Sequence, residues 1–293
     1  MQYLIRDRGI KKPRPSYAQT EFSRAYKNLK SYVLSYFTLQ SEKRNRTGSD
    51  YMKIRCVWEH NGSDSLLYSD NYIGAFTRGA TKDIALNKMA DEIKSYLNWK
   101  KDLAPETFEI EIVQEKLSEL DICDADSDVL FDTERGKMDL IEYQELKSLA
   151  LRSAQDFLTL YESIPDKDRS CLPARQTFYG QMPRTAFEMY EHTKNVNDYY
   201  FGEIGIDVDN DGTILACRMR GFELLEAHPD FLNNNVFDGS YGEKWSLRKV
   251  LRRFIWHDRI HAKAMYRMAV KTFGVDVIPN IFKFTIWIRR ISL

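Results

Sequence analysis

The sequence predicts a two-domain α+β protein, in which a small strand–strand–helix–strand domain precedes a bundle of long helices. Residues 52–58 alternate between apolar and polar side chains, as a half-buried strand does, and residues 83–98 carry apolar side chains at helical spacing. From residue 139 onward apolar side chains recur every three or four positions over long segments, which is typical of packed helices. The prediction therefore changes near residue 139, from strands with one helix to long helices.

Length and composition indicate a folded protein. The 293 residues are enough for two modest domains, and 43% hydrophobic with 29% charged residues is typical of a globular chain rather than a disordered one. No segment approaches the roughly 18 apolar residues of a membrane span, and the basic N-terminus has no apolar core of the secretory type. We therefore expect a cytoplasmic protein without membrane association. Its four cysteines are expected to be reduced and include no C-x-x-C pair.

The net charge of zero conceals segregated charge. Residues 1–51 hold eleven Lys and Arg against four acidic residues, residues 105–145 hold fourteen acidic against three basic residues, and residues 245–293 hold eleven basic against two acidic residues. Either the acidic and basic segments pair within the molecule or each forms a solvated face. A nucleic-acid partner is not expected, because no aromatic residues accompany the basic ones in a recognisable pattern.

Residues 1–51 are predicted to be a basic N-terminal extension with a helix over 17–40. Residues 52–118 are predicted to form the small α/β domain, and the four elements that follow its first strand come from periodicity and turn signals. They are short strands at 65–68 and 72–77, the helix at 83–98 and a strand at 107–113.

The spacing Gly74-x-x-Thr77-x-Gly79-x-Thr81, followed by an alanine-bearing helix, resembles the strand and turn of HicB-like antitoxin domains. This resemblance implies the α/β fold and a protein-binding surface for residues 52–118. It does not imply an antitoxin, because the separate DNA-binding segment that usual HicB antitoxins carry is not evident.

An acidic linker is predicted over residues 119–138. Its spaced aspartates suggest calcium binding, but they lack the turn glycine of a calcium loop, so we expect a solvated linker. Residues 139–293 are then predicted to be helical, and proline positions set several boundaries. The predicted helices are 141–164, which Pro165 ends, 183–204, 215–227 and 245–273, with a closing strand or packed tail at 281–288.

His257 and His261 are the most informative residues of the chain. Side chains four residues apart share one face of a helix, so both imidazoles can reach one metal ion. Both continue an apolar stripe and are expected to face inward. His192, with Met189 and Val196 at helical spacing, is the third candidate ligand, and three histidines would leave open positions for water. The alternative is that the paired histidines belong to the core and bond to carbonyl groups or to each other.

The order and spacing of these histidines resemble the DinB-like, or YfiT-like, metal-binding four-helix bundles. In that family one histidine comes from the second helix and an H-x-x-x-H pair from a late helix. The resemblance covers residues 139–293 and implies an up-down bundle, a homodimer and a divalent metal at His192, His257 and His261. Some members transfer low-molecular-weight thiols or isomerise thiol-conjugated substrates. Zinc, nickel and iron all accept imidazole ligands, so the metal stays open.

Two functions follow as hypotheses. The first is a metal-dependent transferase or hydrolase that uses thiol or water chemistry on a small-molecule substrate. The alternative is a non-catalytic protein, in which the metal stabilises the bundle and the HicB-like domain binds a partner. Arg248, Arg252 or Arg253 would hold an anionic substrate, or else form a solvated or salt-bridged helix face.

Two motifs resemble a zinc-protease signature and a calcium loop, and neither function is expected. His257-Asp-Arg-Ile-His261 differs from the H-E-x-x-H of zinc proteases because Asp258 replaces the glutamate, and no histidine follows as a third ligand. Residues 207–212, Asp-Val-Asp-Asn-Asp-Gly, match the start of an EF-hand loop. Arg218 occupies the position of the bidentate glutamate there, so a polar turn is expected.

Overall fold

The computed structural model describes residues 51–122, 126–177 and 180–285, and the predicted N-terminal extension with its helix lies outside them. The described residues belong to one compact unit of mixed α+β structure, which confirms the predicted class. None of the described helices is long and apolar enough to cross a bilayer.

A four-stranded sheet forms the N-terminal part of this unit, in the order β3–β2–β1–β4. Its elements are β1 (Tyr51–His60), β2 (Ser65–Ser69), β3 (Phe76–Gly79) and β4 (Thr107–Leu117), with helix α1 (Lys82–Lys100) between β3 and β4. β1 pairs antiparallel with β2 and parallel with β4, so α1 supplies the crossover that a parallel pair requires.

Three strands precede α1, as the separate predictions at 52–58, 65–68 and 72–77 expect, although the summary order strand–strand–helix–strand counts one too few. The predicted strand at 72–77 is wrong in its bounds, because its first half is a turn. Gly74 has a φ of +95° there, which favours glycine. A Cβ at this position would lie 2.3 Å from Cγ2 of Ile255, so the turn approaches a helix of the second half closely.

Five helices follow, with two short two-stranded ladders. The helices are α2 (Leu140–Ser163), α3 (Ala186–Lys194), α4 (Val196–Gly202), α5 (Ile214–Glu226) and α6 (Leu247–Phe273), and the ladders join β5 (Gln176–Thr177) to β6 (Gly180–Gln181) and β7 (Phe237–Asp238) to β8 (Lys244–Trp245). α6 contacts α2, α3 and α4, and α5 packs on α2. The helix predicted over 183–204 is wrong as one element, because Asn195 separates α3 from α4. The up-down order of the bundle stays a prediction.

The predicted acidic linker is only partly solvated in its described residues, 119–122 and 126–138. Ile122, Val129 and Phe131 are buried and pack on one face of the sheet together with Trp256 of α6. The segment has enough apolar side chains to cover that face, and its acidic residues lie between them. It therefore connects the sheet to α6.

The segregated charges pair within the molecule, as one of the two interpretations expects. The Glu134 carboxylate accepts hydrogen bonds from Arg252, and Lys249 donates to the carbonyl of Asp128 at 2.9 Å. The basic helix α6 thus lies against the acidic segment that precedes α2.

The other face of the sheet shares one apolar core with the helices. Ile54 of β1 and Met89 of α1 belong to the same buried cluster as Phe157 of α2 and Val250 of α6. The predicted domain division at residues 119–138 stays a prediction, but the parts on either side of it are joined by this core.

The last described residues bear out a packed tail rather than a strand. Phe282 and Phe284 are buried, and the Phe282 ring lies 5.2 Å from that of Trp99. The end of the predicted 281–288 segment, from residue 286, lies outside the described residues.

Candidate metal centre

His192, His257 and His261 lie together, as the sequence predicts. Their ring centroids are 4.3 Å apart for His257 and His261, 4.6 Å for His192 and His261, and 5.2 Å for His192 and His257. Each offers a ring nitrogen, and these three atoms lie within 4.8 Å of one another. Within the described ranges, this is the one cluster of three potential ligand side chains that could share an ion.

His192 is positioned by a capping box at the start of α3. The Thr185 hydroxyl accepts a hydrogen bond from the backbone N–H of Glu188, and the Glu188 carboxylate accepts one from the N–H of Thr185, each at 3.1 Å. The helix therefore begins two turns before His192. Met189 and Thr193 are buried on the same helix, so α3 is held against the bundle close to the histidine.

His257 is positioned by the charged network of its neighbour, Asp258. The Asp258 carboxylate accepts from Arg218 Nη1 at 2.5 Å and Nη2 at 3.1 Å, and from the Ser153 hydroxyl at 2.5 Å. Arg218 Nε donates to Asn197 at 3.1 Å. These four side chains are completely buried, and they connect α2, α4, α5 and α6 at the level of the metal centre.

The sequence did not reveal this network. The sequence places Asp258 at the glutamate position of a protease motif and Arg218 at the glutamate position of a calcium loop, and neither motif points to the other residue. Both oxygens of the Asp258 carboxylate are taken by Arg218, so the group is not free to act as a general base. This geometry supports the expectation that the chain is not a zinc protease.

Desolvation by the surrounding protein keeps the three imidazoles in the form that binds metals. It lowers the pKa of His192, lowers that of His257 well below its usual value of 6.5, and lowers that of His261 to about 3, and the proximity of the rings adds to the last two shifts. At neutral pH all three are therefore uncharged ligands.

One buried ring nitrogen of the cluster has no partner in the described part of the chain and fits a metal ion. Nδ1 of His257 is inaccessible to solvent and has no hydrogen-bond partner among the described residues. In the alternative prediction, core histidines bond to carbonyl groups or to each other. Nδ1 of His257 forms neither kind of hydrogen bond with the described residues. The donor set, three neutral imidazoles, suits zinc, nickel or iron.

The centre opens to solvent on one side. His257 is 7% exposed, His261 is half-buried and His192 is exposed. Three protein ligands and an accessible side are typical of a catalytic metal site rather than a closed structural one.

The EF-hand-like turn has a structural role. Asn210 donates to the carbonyl of Asn195 and accepts from the N–H of Asp198, each at 3.2 Å, and so bridges the break between α3 and α4. Asp209 pairs with Arg220. Arg218 is directed into the bundle instead of toward this turn.

Of the three arginines proposed to bind an anion, two are paired. Arg248 donates to both oxygens of Glu142, and Arg252 donates to both oxygens of Glu134. For these two the salt-bridged helix face is confirmed. Arg253 differs, because it is buried without a carboxylate within ion-pair distance in the described part of the chain.

Comparison with known proteins gives no relative: no family model, curated protein or solved structure matches the chain. The HicB-like and DinB-like resemblances therefore stay predictions.

Proposed function

We propose that the chain binds one divalent transition metal at His192, His257 and His261, and that the bound ion serves a reaction rather than only the fold. The observation that carries the proposal is the cluster itself: three ring nitrogens within 4.8 Å of one another, contributed by two helices. The resemblance to DinB-like bundles supports the same ligand set.

The open side of the centre favours an enzyme over the non-catalytic alternative. An ion held by three neutral imidazoles would keep its full charge, and would lower the pKa of a bound water or hold a thiolate. The protein's part is to keep the imidazoles neutral by burial and to fix His257 through the Asp258–Arg218 pair. The function is thus a metal-dependent transfer of a low-molecular-weight thiol, or a hydrolysis, on a small-molecule substrate.

A cobalt-substituted protein tests this function. Adding a small thiol, such as 2-mercaptoethanol, should produce a sulfur-to-cobalt charge-transfer band in the near ultraviolet, because the open side admits a further ligand. The same titration on His228→Ala, which changes an exposed histidine outside the centre, should give the same band.

A cobalt spectrum that responds neither to the thiol nor to azide would contradict the open site. It would favour the alternative, a metal-stabilised protein that uses the HicB-like segment to bind a partner. A homodimer through the helices and a cytoplasmic location remain parts of the proposal that follow from the sequence alone.

A further inference from the structure

Four arginine side chains in the described ranges are almost completely buried, and three of them pair with a carboxylate. Arg218 pairs with Asp258, Arg252 with Glu134 and Arg259 with Glu92. A buried charge without a partner is costly, so the pairing of these three is expected. The fourth is Arg253, which is 9% exposed.

Arg253 is held in place by its surroundings, but no carboxylate of the described residues lies within ion-pair distance of it. Its Nη1 donates to the carbonyl of Ser127 at 3.0 Å, whereas its Nε is buried and has no hydrogen-bond partner among the described residues. Tyr200 acts most strongly on the guanidinium and is also its side-chain hydrogen-bond partner, and Glu243, Tyr68 and Glu59 follow in that order. Glu243 forms an ion pair with Lys249, and Glu59 accepts hydrogen bonds from the segment around Ser127.

Aromatic rings surround the guanidinium. It lies 4.8 Å from the Trp256 ring, 5.5 Å from Tyr200 and 5.6 Å from Trp245. The indole N–H groups of Trp245 and Trp256 are also buried without an acceptor. The Nε of Arg253 and these two indole N–H groups therefore each lack an acceptor among the described residues.

Arg253 adjoins the metal centre. Arg253 precedes His257 by four residues and shares its helical face. Tyr200 and Trp256 contact both, since their rings lie 5.9 and 6.3 Å from that of His257. A small ligand between the ion and Arg253 would therefore contact aromatic walls on its way.

We propose that Arg253 is the recognition residue for the carboxylate of a small ligand whose other end reaches the histidine centre, an inference that rests on the proposed function. A carboxylate supplies the one negative charge that a single unpaired guanidinium requires, and its two oxygens provide the missing acceptors. A phosphate dianion would bring more charge than Arg253 alone balances, because Arg252 and Arg218 are already paired. The aromatic walls favour a planar or apolar body behind the carboxylate.

The test is a calorimetric titration of the full chain with benzoate and acetate, in metal-free and cobalt-loaded form, with benzamide as the uncharged control. Benzoate should bind and benzamide should not. Arg253→Gln should weaken benzoate binding roughly tenfold or more, which corresponds to the loss of one charged hydrogen bond. The matched control is Arg248→Gln, which removes a paired guanidinium from the same helix and should leave the affinity unchanged.

Thermal melting and cobalt stoichiometry show whether each variant is folded. If Arg253→Gln does not fold, Arg253→Lys decides: it keeps the charge but loses the planar fork, and should still weaken benzoate binding several-fold. The proposal is overturned if wild type binds neither carboxylate, or if benzoate binds equally well without Arg253.

The same titrations separate this inference from the metal proposal. Arg253-dependent binding of benzoate to a wild type that takes up no cobalt would contradict the metal centre and leave the carboxylate site standing. If the protein takes up cobalt but binds benzoate equally well without Arg253, the metal centre stands and the carboxylate site is contradicted.

Discussion

At the scale of single residues, the interior beside the histidines depends on charges that were not visible as a set in the sequence. The spacing of His257 and His261 is readable because four residues make about one helical turn. The pair of Arg218 and Asp258 is not, since the partners are forty positions apart and come from separate helices. Only the fold brings them together, which is why each was first considered in a different local motif.

The buried pair gives a prediction for stability. Arg218→Ala leaves the Asp258 carboxylate uncompensated in the core and should lower the free energy of unfolding by about 3–5 kcal/mol. Arg220→Ala is the matched control, because that arginine lies on the same helix and pairs with an exposed aspartate. It should cost less than about 1 kcal/mol. Urea unfolding of both variants measures the difference, and equal losses would contradict the role of the network.

Glu59 gives a prediction for pH. Burial raises its pKa from 4.5 to about 7, although Ser127 and the N–H of Asp128 donate to it. Between those two values the folded protein retains a proton that the unfolded chain has released. The free energy of unfolding should therefore fall as pH rises from about 4.5 to about 7, by at most roughly 1.4 kcal/mol per pH unit from this group.

Glu59→Gln removes this titration. The free energy of unfolding of the variant should increase relative to that of wild type as pH rises from about 4.5 to about 7. The difference should level off above about pH 7. Urea titrations at half-unit intervals would show it, and parallel profiles for the two proteins would argue against a raised pKa.

At the scale of elements, most helices and strands are predictable and their interruptions are not. The apolar periodicity of α2 and α6 is strong, and Pro165 and Ser246 mark their limits at nearly the observed positions. The break at Asn195 depends on Asn210, which comes from a distant turn. α3 starts at Ala186 rather than at the predicted residue 183, and the prediction did not use the capping-box spacing of Thr185 and Glu188.

Gly221 shows why a glycine interrupts the sequence pattern of α5 without ending the helix. A Cβ there would lie 2.1 Å from the Phe201 ring of α4. Gly221→Ala should therefore destabilise the protein by about 1–3 kcal/mol, despite the better helix propensity of alanine. Gly202→Ala, with open space around its Cβ, should be neutral or slightly stabilising. Thermal unfolding compares them, and a stabilising Gly221→Ala would contradict this packing of α4 on α5.

At the scale of the whole molecule, the predicted linker is the largest difference between sequence and structure. Its acidic composition suggested solvation, yet its apolar side chains cover the sheet and its carbonyls and carboxylates satisfy the cations of α6. The overall composition of the segment shows an excess of acidic residues. It does not show that apolar residues between them cover the sheet while the acidic ones pair with α6. The basic α6 was readable as a charged helix and the acidic segment as one of its two possible surroundings, but the residues that pair were not readable.

A shared core predicts shared unfolding. The sheet and the helices should unfold in one cooperative transition, because separating them would expose the cluster that contains Ile54, Met89 and Phe157. Far-ultraviolet circular dichroism and tryptophan fluorescence should give the same urea midpoint for the metal-free protein. Two separated transitions would show instead that the parts on either side of residues 119–138 are independent domains.

The central claim is that His192, His257 and His261 hold one metal ion, and elemental analysis tests it most directly. Wild type dialysed after exposure to zinc, nickel or iron should retain about one ion per chain. His192→Ala and His257→Ala should each retain almost none, because neither leaves a set of three ligands, while His228→Ala should match wild type. Metal content that is absent from wild type, or unchanged in the two ligand variants, would contradict the account.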